Sequence, residues 1–363
     1  MKIIRILLLP VSWLYGFIVF LRNKLYDLGI FTSHEFDIPL ISVGNLVVGG
    51  TGKTPHIEYL IRLLKSEFYI ATLSRGYGRK TKGFILADSQ FNASKIGDEP
   101  AQFKNKFNNI RVAVDGNRVR GVKKLKELFP SLQTILLDDA FQHRAIKPGL
   151  SILLTDFSKL YLSDYMVPSG ALREFKSGAQ RADIIIVTKC PEILLPIERK
   201  RIINSIHPTT YQHIYFSYIK YGDFTPIHLK TSALAKEFYF ERNYTILLLT
   251  GIANTSSLIY YLKEKVKTIV PVKFPDHHLF TIKNIELIKD KFNSIASENK
   301  IILTTEKDAM RLKGLEFAKT LEELPILYIP IEIEFHNKDK EGFNEQLLHY
   351  VRANQKHGNV YSK

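Results

Sequence analysis

This sequence is short of acid relative to base and has a single cysteine. Its 363 residues hold 36 Asp and Glu against 51 Lys and Arg, a formal net charge of +15, and one cysteine, Cys190. A single thiol excludes a disulfide framework and gives no basis for a cysteine metal site, which fits a reducing compartment. The acid deficit points to an anionic partner: nucleic acid, an acidic membrane surface or a phosphorylated substrate. Further absences weaken the first of these, because there is no arginine-rich tail, no zinc-finger spacing and no aromatic RNA-binding motif. Internal repeats and low-complexity tracts are missing too. With an apolar fraction of 45%, a chain of this length holds one large domain or two ordinary ones around a real core.

Also missing is an unbroken apolar run of the roughly 20 residues that a spanning helix needs. Met1–Leu21 comes near, but it contains Arg5 and Pro10, and Arg22 and Lys24 follow it. A secretory signal is one reading, although no small-residue cleavage site follows the run. A buried core helix is another. The favoured reading is a membrane-associated helix over residues 1–30 that embeds from the cytoplasmic side. Trp13 and Tyr15 would then lie at headgroup level, with Lys2, Arg5, Arg22 and Lys24 meeting anionic lipid.

What is present is strongest at residues 39–55, PLISVGNLVVGGTGKTP. An apolar strand, Ile38–Val43, feeds the glycine-rich turn Gly49-Gly50-Thr51-Gly52, and a helix can begin at Lys53-Thr54. This is the form of a phosphate-binding loop. Glycines let backbone N–H groups approach the oxygens, Lys53 would reach the β- and γ-phosphates, and the Thr54 hydroxyl would ligate Mg²⁺. The spacing departs from the usual one at Val47, where a glycine is expected; the nearest earlier glycine is Gly44. Downstream, the strand Thr134–Leu137 ends in Asp138-Asp139. An apolar strand closed by acid is the arrangement that holds Mg²⁺ beside a triphosphate. On an ideal strand the two side chains oppose each other, so both reach a metal only where the strand gives way to a loop.

Four further segments carry chemistry less specifically. Gly97-Asp98-Glu99-Pro100 reads alone as a helix-capping pair. Phe274-Pro275-Asp276-His277-His278 could supply a base, but reads alone as a surface loop. Ser74-Arg75-Gly76-Tyr77-Gly78-Arg79 and Pro168-Ser169-Gly170-Ala171-Leu172-Arg173-Glu174 suit an anionic group, or are solvated basic loops.

Between these motifs, β-branched strands alternate with helices, which implies a parallel sheet covered on both faces. The expected fold is α/β: a P-loop NTPase-like domain over residues 31–210, a two-stranded hairpin linker over 211–232, and a smaller α/β domain over 233–363. Tyr211–Leu229 is the expected hinge.

As a set, GNLVVGGTGKTP, LSRGYGRK, GDEP, DDAFQHR, PSGALRE, RADIIIVTK, FPDHH and TEKD resemble the tetraacyldisaccharide 4′-kinases, the lipid A kinases of Gram-negative envelope synthesis. The resemblance runs from the N-terminal helix to about Leu312. It departs at Ala140, where the family usually has glycine, and at Phe175, where proline commonly stands. It implies transfer of the γ-phosphoryl of ATP to the 4′-hydroxyl of a tetraacyldisaccharide 1-phosphate, giving lipid IVA. Asp98 would be the general base, assisted by His277 or, alternatively, His278. Thr54, Glu99, Asp138 and Asp139 would handle Mg²⁺, and Lys53 would offset charge on the transferred group. Arg75, Tyr77, His143 and Arg173 would contact the substrate's phosphate and sugar. Further implications are a monomer with no nucleic-acid partner, at the cytoplasmic face of the inner membrane, since four acyl chains leave a bilayer only at high cost. The alternative class is a P-loop ATPase of assembly or metallocentre insertion, which the lone cysteine and apolar N-terminus disfavour.

Overall fold

The β-branched runs become the strands of two sheets in the computed structural model, which describes residues 2–87, 93–228, 234–252, 254–276, 278–313, 321 and 323–355. The chain divides into two compact units, Met1–Ile219 with Ile333–Lys363, and Lys220–Glu332.

The strands that carry the first unit are β1 (Leu40–Asn45), β2 (Ile70–Ser74), β3 (Ile85–Leu86), β4 (Arg111–Val114), β5 (Thr134–Asp138), β6 (Leu150–Asp156), β7 (Ile184–Thr188) and β8 (His213–Tyr221). Those of the second are β9 (Thr225–Pro226), β10 (Thr245–Thr250), β11 (Thr268–Lys273), β12 (Lys300–Thr305) and β13 (Ile326–Ile329), after which β14 (Ile331–Phe335) leads back. One sheet has the order β14-β8-β7-β6-β1-β5-β2-β4-β3, the other β11-β10-β12-β13-β9. Strand β1 pairs in parallel with β5 on one side and β6 on the other. The chain first builds outward on the β5 side through β2 and β4, then on the opposite side through β6, β7 and β8. Parallel sheets bind ligands at such a reversal, beyond the carboxyl ends of the strands. The register Val43↔Asp138 brings the end of β5 level with the end of β1, just before the glycine-rich turn.

Helix α3 (Lys53–Leu64) starts directly after that turn. It buries Ile57, Leu60, Ile61 and Leu64 on the sheet, the one-sided spacing of an amphipathic helix.

Two expectations need correction. Of the expected linker over 211–232, the described residues 211–228 form no hairpin: β8 lies between β7 and β14, while β9 pairs with β13 in the other sheet. Nor does 233–363 form one domain, because Ile333–Lys363 belongs to the first unit. The physical cause is the C-terminal helix Asp339–Ala353, whose Phe343, Leu347 and Val351 are buried in the same cluster as Ile57, Leu60 and Ile152.

The N-terminus forms α1 (Lys2–Leu7) and α2 (Leu9–Asp27). Among the described residues no helix is long and apolar enough to cross a membrane. Helix α2 is amphipathic in an inverted sense. Its inner face is small: Ser12, Gly16 and Val19 are buried. The Ser12 hydroxyl accepts from the Ser169 amide at 3.0 Å, and the Tyr15 hydroxyl donates to the Arg173 carbonyl at 3.0 Å. Its outer face exposes Val11, Trp13, Leu14, Phe17, Ile18 and Leu21, with Trp13 at 72%.

The placement of the C-terminal helix is testable. Leu347→Ala leaves a cavity in the first core, and should destabilise that unit by about 2–5 kcal/mol. Amides of β1 and β6 should then exchange faster with deuterium, while those of β10 and β12 keep wild-type rates. The reverse pattern would return this helix to the second unit.

Candidate active site

Two glycines of the loop hold backbone conformations that a side chain would strain. Gly49 and Gly52 have φ of +122° and +89°, values that L side chains disfavour. Gly52 is the cap of α3, so Lys53 and Thr54 occupy the first turn, where unpaired backbone N–H groups and the helix dipole favour an anion. The hydroxyl of Thr51 is taken by the protein, accepting from Asn45 Nδ2 at 2.8 Å. Gly49 and Gly50 are exposed.

The two aspartates diverge as the strand ends. Asp138 is the last residue of β5, and Asp139 turns into the left-handed region at φ +49°, which is strained for a non-glycine residue. Asp138 is buried and accepts from Ser74 Oγ at 3.3 Å. Burial first, then the charges of Glu99 and Asp139, push its carboxyl up to about 7, against the pull of Lys53 and Arg118. Asp139 goes the other way. Burial would raise it, but Lys53 at 3.5 Å and the Arg173 guanidinium at 3.1 Å hold it below the ordinary carboxylate range. Arg118, at the start of α6 (Arg118–Leu128), is 1% exposed and donates to the carbonyls of Asp115 at 2.7 Å and Asp138 at 3.2 Å. Its burial lowers the guanidinium to about 10, with Asp138 and Asp139 opposing.

After the short helix α4 (Ala93–Ile96), Asp98 and Glu99 form the first turn of α5 (Asp98–Lys106), and neither is fully exposed. Gly97 before them has φ +95°, and a Cβ there would stand 2.9 Å from the Tyr77 carbonyl oxygen, so the Arg75–Arg79 loop closes on this turn. The helix is fixed from its other face. Buried Glu58 of α3 accepts from Gln102 at 2.7 Å and Lys106 at 2.8 Å. Arg75 and Tyr77 are exposed. His143 Nε2 meets the Gly116 carbonyl at 3.1 Å, and burial, then the Arg118 charge, lowers its affinity for a proton.

The first unit therefore gathers Lys53, Glu99, Asp138, Asp139 and Arg173 into one charge cluster at the carboxyl ends of β1 and β5. Asp98, Arg75, Tyr77 and His143 stand on the loops and helix turns around it. A glycine-rich turn, a helix N-terminus and this charge cluster together suit a phosphate chain. Residues 4–352 match the family model described as tetraacyldisaccharide-1-P 4′-kinase. The chain belongs to this kinase family. The tetraacyldisaccharide 4′-kinase of Bacteroides thetaiotaomicron is 45% identical over 356 residues, 96% of this chain and 93% of that one. That of Flavobacterium psychrophilum is 45% identical over 360 residues, 99% of this chain and 100% of that one. The crystal structure of LpxK from Aquifex aeolicus in complex with ATP superposes with a TM-score of 0.71 at 27% identity, covering 96% of this chain and 99% of that one.

Not every expected residue of the kinase lies in this cluster. His277 lies outside the described residues. Its neighbour His278, in the second unit, stacks on Phe274 with ring centroids 4.5 Å apart and meets Asn284 Oδ1 at 2.9 Å. Arg118 and Glu58 were not legible as site residues. The one signal for Arg118 is the run Asp115-Gly116-Asn117-Arg118 at the end of β4, an acid and a base flanking a turn.

Asp138 also makes a stability prediction. Its ionised form is disfavoured in the folded chain, so its charge destabilises the fold fully above pH 7, and the effect fades as pH falls toward the unfolded value near 4, below which the group is neutral in both states. Asp138→Asn should therefore stabilise the unliganded protein by about 1–3 kcal/mol at pH 8, and by little at pH 4, in denaturant titrations. An equal gain at both values would mean the charge is not the cause.

Proposed function

We propose that this chain transfers the γ-phosphoryl group of ATP to the 4′-hydroxyl of a tetraacyldisaccharide 1-phosphate, giving lipid IVA, at the cytoplasmic face of the inner membrane of a Gram-negative bacterium. The observation that carries the reading is the juxtaposition of Lys53, at the mouth of the glycine turn, with Asp138-Asp139 on the neighbouring strand. The relatives' names support the acceptor, and the ATP complex of the Aquifex protein supports the donor.

In this reading the amides at the start of α3 and the Lys53 ammonium hold the β- and γ-phosphates. Thr54, Glu99, Asp138 and Asp139 hold Mg²⁺. Among the described residues no group of three or more His, Cys, Asp or Glu stands ready to cage a metal. The donors still fit this ion, because Mg²⁺ takes oxygen, keeps several waters and binds through one or two carboxylates plus phosphate oxygens. The high proton affinity of Asp138 comes from burial first and then from the charges of Glu99 and Asp139, and a divalent cation would relieve both. When bound, Mg²⁺ neutralises charge on the transferred group. Asp98 accepts the proton of the attacking hydroxyl. A loose phosphoryl-transfer transition state asks little of the base, so an ordinary carboxylate suffices once it is positioned. Arg173, paired with Asp139 at 3.1 Å in the free protein, would with Arg75, Tyr77 and His143 bind the acceptor's phosphate and sugar.

The N-terminal helices supply the meeting with the lipid. Their outward side chains form an apolar face too continuous for an ordinary water-facing surface, and the same helices expose Arg5 and Lys24, while Arg22 turns to the Gln142 carbonyl. Such a helix lies in the bilayer interface and draws on anionic headgroups. The Tyr15–Arg173 and Ser12–Ser169 bonds tie it to the loop that carries Arg173.

Two outcomes are expected. With γ-labelled ATP and a tetraacyldisaccharide 1-phosphate acceptor, wild type should yield labelled lipid. Lys53→Ala should lower kcat at least about a hundredfold, and Asp98→Ala should lower kcat with little change in the KM for ATP. Labelled inorganic phosphate without labelled lipid would favour an ATPase instead. Separately, Trp13→Glu with Phe17→Glu should weaken co-sedimentation with anionic lipid vesicles at least about tenfold, since each large apolar side chain contributes about 1.5–3 kcal/mol on burial. Wild-type sedimentation would move the attachment elsewhere.

A further inference from the structure

The glycine turn is held from behind at three consecutive carbonyls. Lys189 Nζ donates to the Gly50 oxygen, the Thr188 hydroxyl donates to that of Thr51 at 2.9 Å, and His56 Nδ1 meets that of Gly52 at 2.7 Å. Lys189 is also paired with Asp156 at 2.8 Å, so its charge is answered within the protein. Thr188 ends β7 and is fully buried; His56 is 3% exposed, one turn into α3. The imidazole is itself oriented, because its Nε2 lies 3.0 Å from Ser217 Oγ on β8, a fully buried hydroxyl. A carbonyl only accepts, so His56 carries its proton on Nδ1 and takes the Ser217 proton at Nε2. Burial, and after it the Lys189 charge, lowers the ring to about 4 although the Gly52 bond favours the charged form, so the donor is neutral at physiological pH.

A trans peptide fixes the consequence. Its C=O and N–H point in opposite directions, so a carbonyl drawn into the protein turns the following N–H outward. The Thr51 and Gly52 carbonyls precede the amides of Gly52 and Lys53, which open the anion-binding end of α3. We propose that His56 and Thr188, with Lys189 anchoring the turn at Gly50, are positioning residues that aim the Gly52 and Lys53 amides at the triphosphate by gripping the carbonyls behind them. The proposal rests on the nucleotide reading above. It also gives Val187-Thr188-Lys189, a segment at which some P-loop proteins read the base, a different role, that of holding the loop.

The test uses ATP, GTP and inorganic tripolyphosphate as calorimetric probes, each with Mg²⁺, on wild type, Lys53→Ala, His56→Leu, His56→Gln and Thr188→Val. Removing one partner of a buried bond is expected to raise the dissociation constant of all three probes about tenfold in His56→Leu and in Thr188→Val. His56→Gln, which keeps an N–H donor, should recover part of the loss, and the KM for the lipid acceptor should not move. Thr188→Val changes little volume and carries the test alone if His56→Leu does not fold. Lower melting temperatures with unchanged tripolyphosphate affinity would overturn the proposal, leaving these residues structural only. So would a changed ATP-to-GTP preference at unchanged tripolyphosphate affinity, since the segment would then read the base. If wild type binds tripolyphosphate no better than Lys53→Ala does, the nucleotide reading itself fails and takes the proposal with it.

Discussion

Two adjacent carboxylates at the end of one strand, Asp138 buried and Asp139 half-buried, set the terms for the first unit. Like charges about 4 Å apart repel by about 4 kcal/mol at the effective dielectric of a partly buried site. Glu99 adds a third negative charge to Asp138 and Asp139. The fold answers with Lys53 from the glycine turn, Arg118 from the start of α6, and Arg173 from the segment before β7. Each cation comes from a different stretch of chain, so balancing one acid pair draws three distant segments together. The balance is incomplete in the free protein. Asp139 is served by two cations, while Asp138 retains a proton affinity far above that of an ordinary carboxylate. An imbalance of this kind is costly to stability and useful to a site that must take up a cation.

Helix α3 turns that local chemistry into geometry. Its first residue is Lys53, its fourth is His56 and its sixth is Glu58. The first faces the acids, the second holds the turn, and the third grips α5, the helix that begins with Asp98 and Glu99. Its remaining inward positions are aliphatic and pack on the sheet and against the C-terminal helix. A single rigid element thereby sets the separation between the lysine and the acids of α5. Rigid support of this kind is what catalysis by positioning requires.

What could be read in advance followed physical range. The parallel sheet was legible because its strands are buried on both faces and read as unbroken aliphatic runs, as in Ile184–Thr188 and Thr245–Thr250. The glycine turn and Asp138-Asp139 were legible because their chemistry lies within a few residues. Contacts made across long separations were not. Nothing local in Phe343, Leu347 and Val351 says that they close the core begun by Ile57. The aromatic stretch around Tyr221 suits a hairpin as well as it suits two strands parting to different sheets. His56 reads as an ordinary helical residue until Ser217, distant by 161 positions, stands behind it. Arg118 was hidden for a similar reason: an arginine at a helix start reads as solvated unless the fold buries it beneath an acid pair.

The seat of α2 bears on how this sequence can drift. A Cβ at Gly16 would stand 3.0 Å from Phe175 Cζ, and the Phe175 ring also meets Phe20 edge-on, with centroids 6.5 Å apart. Phe175 lies two positions after Arg173. Bulk gained at position 16 is therefore felt at position 175, and selection acts on the two as one locus. Over generations a larger residue at the first is tolerated only with a smaller one at the second, so lineages should exchange the pair together more readily than either member alone.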